Sequence, residues 1–241
     1  MHVETVGSGP RVLLVHGSVT NSATWGPVRE LADRYTLVIP DRPGYPPNPP
    51  LDWIDPDEQA AELATLLGDG AHVLGHSYGG VISLLLAARE PERVRSLTVI
   101  EPPCFGVARG HPAVETFVRE SSAVWAELPM EPPEFLRRFA ALFGPEGQVP
   151  TEIPPDREQG VRALMVERSP WEIEIPLDEL KDAPFPKLVF SSGSPHPAYE
   201  VLCDVLEQRL GAERMILRGG GHAVHRAPGF VERYAAFLEA A

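Results

Sequence analysis

Only two cysteines, Cys104 and Cys203, occur in this 241-residue chain. They lie far apart and fit neither a disulfide framework nor metal-ligand spacing, so they are expected to be two small buried side chains. Positive charge is also scarce: 21 Lys and Arg against 34 Asp and Glu leave a formal net charge of −13. That balance disfavours nucleic acid and anionic membrane surfaces as partners. Lysine is nearly missing, with arginine at nineteen of the 21 basic positions, which reads as coding bias. The opening Met1-His2-Val3-Glu4 has no basic region leading into an apolar run, and no stretch approaches the length of a membrane span. A cytoplasmic protein is therefore expected. Internal repeats are absent, and neither Gly7-Ser8-Gly9 nor Gly219-Gly220-Gly221 has the lysine and helix that follow a phosphate-binding loop. With 43% hydrophobic and 23% charged residues, the chain suits one well-cored domain, or one domain with an insertion.

The rest is organised around Val73-Leu74-Gly75-His76-Ser77-Tyr78-Gly79-Gly80. Ala71 to Leu74 reads as an apolar strand, and Val81 to Arg89 as a helix that Glu90-Pro91 stops. Between them Gly75, Ser77 and Gly79 fill a G-x-S-x-G pattern. A sharp strand-to-helix turn strains the central backbone, and small residues two places away avoid the clash. The Ser77 hydroxyl then stands clear of the sheet's carboxyl edge, at a helix N-terminus that favours developing negative charge.

Val3 to Val6, the turn at Gly7-Ser8-Gly9-Pro10, and Arg11 to Val15 read as a β-hairpin. Thr24 is expected to cap a short helix ending at Leu31, followed by a strand at Thr36 to Ile39 and a proline-heavy loop from Pro40 to Pro50. Asp55-Pro56-Asp57-Glu58 starts a helix with a capping carboxylate and proline at the first position, and that helix is expected to reach Leu67. Val94 to Ile100 reads as a buried strand ending at Glu101. From 104 to 185 strand signals vanish. Val114, Phe117, Val118, Val124, Trp125 and Leu128 recur at helical spacing, as do Phe135 to Phe143 and Val161 to Met165, and proline clusters at 129–133 and 150–155 separate these three runs. Strands resume at Lys187 to Phe190 and Arg214 to Leu217, with helices from about Ala198 to Leu210 and Gly229 to Leu238. This order predicts an α/β fold, a mostly parallel doubly wound sheet (1–103 and 186–241) with an inserted helical cap (104–185) over its carboxyl edge, where ligands bind.

These residues carry a resemblance that spans essentially the whole chain: His16-Gly17, Asp41-Arg42-Pro43-Gly44, the elbow at Ser77 and Gly221-His222 are similar to the α/β-hydrolase family, in its small, capped, cofactor-free form. The resemblance implies Ser77 as nucleophile and the backbone N–H groups of Tyr78 and Ser18 as the oxyanion hole. It implies no cofactor, and no metal is expected because His222 and His225 lack a carboxylate neighbour in sequence. A hydroxyl needs a base, and His222, on the loop after the last strand, is the best placed. His225 is the second choice. His76 is expected to pack beside the nucleophile, and His2, His72 and His111 to be surface or edge residues.

The acid departs from the family's commonest form. After Leu188-Val189-Phe190 the pattern would read Gly-x-x-Asp, but here Gly193-Ser194-Pro195 is followed by His196. Glu101 at a strand end is preferred as the partner of His222. Glu200 is the alternative, Asp204 is more remote, and a serine working without a carboxylate stays open.

Trp125, Phe135, Phe139, Phe143, Met165 and Trp171 are candidates to line an apolar cavity above Ser77, each with cap packing as its competing use. The resulting expectation is a serine hydrolase for a small to medium, mostly apolar ester, lactone or thioester. Non-hydrolytic chemistry on the same residues (lyase, perhydrolase, carbon–carbon cleavage, cyclisation) and a non-catalytic binding role are the alternatives.

Overall fold

Alternation along strand β2 (Arg11–Val15) decides the layers. Leu13 and Val15 point into one apolar core and Val12 and Leu14 into another, as the two-residue period of a strand requires. The computed structural model describes residues 1–143, 153–193 and 196–241. Among these, β2 is joined by β1 (Val3–Val6), β3 (Thr36–Pro40), β4 (Ala71–His76), β5 (Val94–Ile100), β6 (Lys187–Ser191) and β7 (Glu213–Ile216). The sheet runs β1-β3-β2-β4-β5-β6-β7, with only β1 antiparallel to its neighbour.

Helices α1 (Pro56–Ala64), α2 (Tyr78–Arg89) and α7 (Pro197–Leu210) cover one face. Helix α8 (Phe230–Ala240) and two 3-10 turns (Ser22–Trp25, Pro27–Asp33) cover the other. This is the doubly wound sheet that the alternation predicts.

Three local expectations change. The expected hairpin of β1 with β2 does not form, because β3 lies between them. Gly7 (φ +84°) and Gly9 (φ +116°) press against the backbone of Ala32, Arg34 and Tyr35, where a Cβ would approach carbonyl oxygens to 2.3–2.4 Å. Those glycines let the chain cross the start of β3. Thr24 is not a cap: Asn21 accepts from the Ala23 N–H, and the Thr24 hydroxyl is turned inward to His225. Helix α1 starts as expected, with Asp55 accepting from the N–H groups of Asp57 and Glu58, but its α-helical part ends at Ala64.

Between β5 and β6 lie α3 (Pro112–Ala126), α4 (Pro132–Ala141), α5 (Pro155–Met165) and α6 (Leu177–Asp182). Part of the second proline cluster, 150–152, falls outside the described residues. The segment is divided. Phe105, Val114, Phe117, Ile173 and Leu180 join the core beneath α2 and α7, whereas Phe135, Leu136, Val161 and Leu164 form a separate cluster above the sheet edge.

Candidate active site

Three non-glycine residues among those described have positive φ: Val19 (67°), Ser77 (54°) and Glu101 (42°). Such strain persists only where surrounding structure enforces it, and all three residues lie at the carboxyl edge of the central strands. The elbow is enforced by close packing. A Cβ on Gly75 would come within 2.3 Å of the Ser83 hydroxyl, and one on Gly79 within 2.3 Å of the carbonyls of Val15 and His16. Only glycine allows β4, β2 and the start of α2 to meet there.

Gly17 brings the second loop in. A Cβ at this position would lie 2.9 Å from the Ser77 Cβ and 3.0 Å from the His76 carbonyl, so Ser18 sits immediately beside the elbow. The His16 ring fixes that loop: its Nδ1 donates to the Gly17 carbonyl (2.7 Å), and its Nε2 accepts from the Arg42 N–H (2.9 Å). Burial, reinforced by the Arg42 charge, lowers the His16 pKa to about 3, so the ring is neutral, as this pairing demands. Tyr78 is the first residue of α2, where an N–H has no intrahelical acceptor.

His222 lies beyond β7, and its Nδ1 is 2.7 Å from Glu101 Oε2. Glu101 is 1% exposed, and its other oxygen accepts from the Ser192 N–H (2.7 Å) and hydroxyl (2.5 Å). Burial alone would raise this carboxyl's pKa, but the hydrogen bond and charge of His222 and the two Ser192 donors outweigh it and lower it. The Tyr199 and Phe143 rings flank the imidazole at 5.1 and 5.7 Å. Among the described residues no hydrogen bond joins the Ser77 and His222 side chains, a contact that commonly tightens only when substrate binds.

The other acids are engaged elsewhere: Glu200 and Asp204 both pair with Arg214. His196 caps α7, accepting from the Ala198 N–H, while Ser194 and Pro195 lie outside the described residues. His225 is buried against Thr24, and His76 donates from Nε2 to the His222 carbonyl (2.9 Å). His72, expected at the surface or an edge, is instead buried and bonded to Ser96. His2 pairs with Asp41, and His111 caps α3.

Ser77, His222, Ser18 and Tyr78 all line one cavity of about 700 Å³. Trp125, Phe139, Phe143 and Trp171 form part of its wall. Met165 does not: it packs only against the Phe135 cluster, whereas Leu164, one helical step of about 100° before it, reaches both that cluster and the cavity. Phe135 is itself fully buried in that cluster.

Residues 12–234 match the model of a family described as the alpha/beta hydrolase family. The chain belongs to that family. The pimeloyl-[acyl-carrier protein] methyl ester esterase of Aeromonas hydrophila is 40% identical to this alpha/beta hydrolase over 112 residues, which are 43% of this chain and 42% of the relative. The chain thus matches less than half the length of that curated relative. Among solved structures, an alpha/beta hydrolase from Sphaerobacter thermophilus is 23% identical, with a TM-score of 0.70 over 97% of this chain and 95% of the other. A thermophilic esterase from Thermogutta terrifontis is 22% identical, with a TM-score of 0.70 over 99% and 93%. Identities this low speak to the fold alone.

Sequence reasoning missed Ser192, Tyr199 and Glu167. Ser192 had a signal: it directly follows β6, where the family's commoner acid would come next. Glu167 had none, since its partners Arg42, Tyr45 and Ser18 are more than a hundred positions away.

Proposed function

We propose that this protein is a serine esterase acting on small to medium, mostly apolar carboxylic esters, with lactones and thioesters within the same chemistry. The observation that carries the reading is the 2.7 Å contact between buried Glu101 and His222 Nδ1, where His222 lines the same cavity as Ser77 on its strained elbow. The carboxylate fixes the tautomer that leaves His222 Nε2 free to accept a proton.

Ser77 Oγ attacks the ester carbonyl carbon while its proton passes to His222 Nε2. The carbonyl oxygen becomes an oxyanion facing the N–H groups of Ser18 and Tyr78. Collapse expels the alcohol, which takes the proton from His222 and leaves an acyl-Ser77. Water then gives a proton to His222, attacks the acyl carbon, and releases the acid as Ser77 recovers its proton. Glu101 stays ionised throughout, consistent with its lowered pKa.

Aromatic walls suit an acyl chain better than a sugar or a phosphate. The Aeromonas relative supports the ester-hydrolysis half of its name, and the carrier-protein half is not carried over. The test is turnover of nitrophenyl esters of increasing acyl length. Hydrolysis that rises from acetyl to medium chains and disappears in Ser77→Ala supports the reading; undiminished hydrolysis in Ser77→Ala contradicts it.

A further inference from the structure

Residues 166–168, between α5 and α6, are fixed to the sheet domain by an isolated parallel bridge. The Ile54 N–H donates to the Val166 carbonyl (3.0 Å), and the Arg168 N–H to the Ile54 carbonyl (2.9 Å). From this anchored segment two hydrogen bonds reach the two residues whose N–H groups face the oxyanion. The Ser18 hydroxyl donates to Glu167 Oε2 (2.5 Å), and the Tyr78 hydroxyl donates to the Arg168 carbonyl (2.8 Å). A third contact bears on the same loop: Gly160 of α5 lies so close to Val19 that a Cβ would sit 2.7 Å from its carbonyl.

Glu167 is built to hold a fixed position. Its side chain is 2% exposed, and Oε1 accepts from Arg42 (2.5 Å) and the Tyr45 hydroxyl (2.7 Å), leaving Oε2 for Ser18. Arg42 is fully buried, gives its Nε–H to Gln59, and lies under the Tyr45 and Tyr78 rings. A lone carboxylate beside an oxyanion hole would oppose the charge that develops there. Paired with Arg42 it brings almost no net field, so its remaining effect is geometric.

We propose that Glu167 is a positioning residue: through the Ser18 hydroxyl, and together with the Arg168–Tyr78 contact, it ties the docked helical segment to the geometry of the oxyanion hole. The proposal rests on the serine-esterase reading above. It predicts that loosening either tether lowers transition-state stabilisation more than ground-state binding. Ser18→Ala removes the hydroxyl but keeps the N–H, and avoids stripping Arg42 of its buried partner.

The test compares the full chain with Ser18→Ala, Ser18→Thr, Tyr78→Phe and Ser77→Ala, using a nitrophenyl ester as substrate and an alkyl trifluoromethyl ketone as inhibitor. The ketone forms a tetrahedral oxyanion on Ser77, and the corresponding non-fluorinated ketone reports ground-state binding. Losing one donor outright costs about 10²–10³ in turnover, so misaligning one should cost about tenfold. The expected result is about a tenfold lower kcat at nearly constant KM in Ser18→Ala and Tyr78→Phe. Trifluoromethyl ketone affinity should fall in parallel and non-fluorinated ketone affinity should hold, with Ser18→Thr restoring most of kcat. Unchanged kcat, or a lower melting temperature and higher KM with unchanged trifluoromethyl ketone affinity, overturns it. Ser77→Ala separates the two readings: if it retains activity, the esterase reading fails, and if it is inert while Ser18→Ala matches wild type, only the positioning role fails.

Discussion

Ser192 donates both its N–H and its hydroxyl to the Glu101 oxygen that His222 leaves free. The carboxylate is thereby satisfied on both sides in a site with almost no water contact, and it cannot rotate without losing a hydrogen bond. Ser192→Ala removes one of these donors. A hydrogen bond to a charged group contributes about 1.5–3 kcal/mol, so ester turnover should fall about tenfold with the fold retained. Turnover equal to wild type would mean that the Ser192 N–H alone is enough.

Glu101→Gln and Glu200→Gln divide the two candidate acids. Replacing a triad acid by its amide costs on the order of 10⁴ in turnover, because the imidazole takes the wrong tautomer. Glu101→Gln should show a loss of that size with an unchanged circular dichroism spectrum. Glu200 already pairs with Arg214, so Glu200→Gln should lower turnover less than about threefold. The reverse pattern would move the acid to Glu200.

Gly17→Ala should abolish turnover without unfolding the chain. The added methyl group meets the Ser77 Cβ at 2.9 Å and the His76 carbonyl at 3.0 Å, so the Ser18 loop must retreat from the elbow. Circular dichroism and ester turnover measured together check this, and an active Gly17→Ala would show that the loop need not lie so close.

Acid should destabilise the fold well before its carboxylates titrate. Burial, with the Arg42 charge for His16 and the Arg226 and His222 charges for His225, lowers both pKa values to about 3. Burial and the neighbouring imidazoles push His76 well down too. A lowered folded pKa means that the unfolded chain takes up protons near pH 6.5 that the native chain refuses. The stabilisation is complete above about pH 6.5 and is lost as pH falls from there toward 3. Each such group costs up to about 1.4 kcal/mol per pH unit in that window. Urea midpoints should hold between pH 7.5 and about 6.5 and fall steadily from there to pH 5. A constant midpoint would show that these rings become protonated without unfolding.

How much was legible in the sequence differs by kind. The sheet was legible because its strands are continuous apolar runs between helices with clear caps, as at Asp55-Pro56. Strand neighbours were less so: β1 follows a glycine turn into β2 yet pairs with β3, and only the steric demands at Gly7 and Gly9 explain the crossing. That Ser77 and His222 share a cavity, with Glu101 bonded to His222 behind it, follows from strand ends, since parallel strands deliver their carboxyl termini to one edge. The Glu167 network was not legible, because its partners come from two other loops, after β2 and after β3, and no local pattern links them. Met165 shows the limit for the cavity: apolar residues at helical spacing could be identified, but one step of helix phase decides which of them faces the cavity.

Intact mass after exposure to an alkyl fluorophosphonate tests the central claim most directly, since phosphonylation needs an activated serine but no knowledge of the natural ester. The account predicts one adduct per chain, on the peptide holding Ser77, absent in Ser77→Ala and much slower in His222→Ala. An adduct that persists in Ser77→Ala, or no adduct in the wild-type protein, would contradict it.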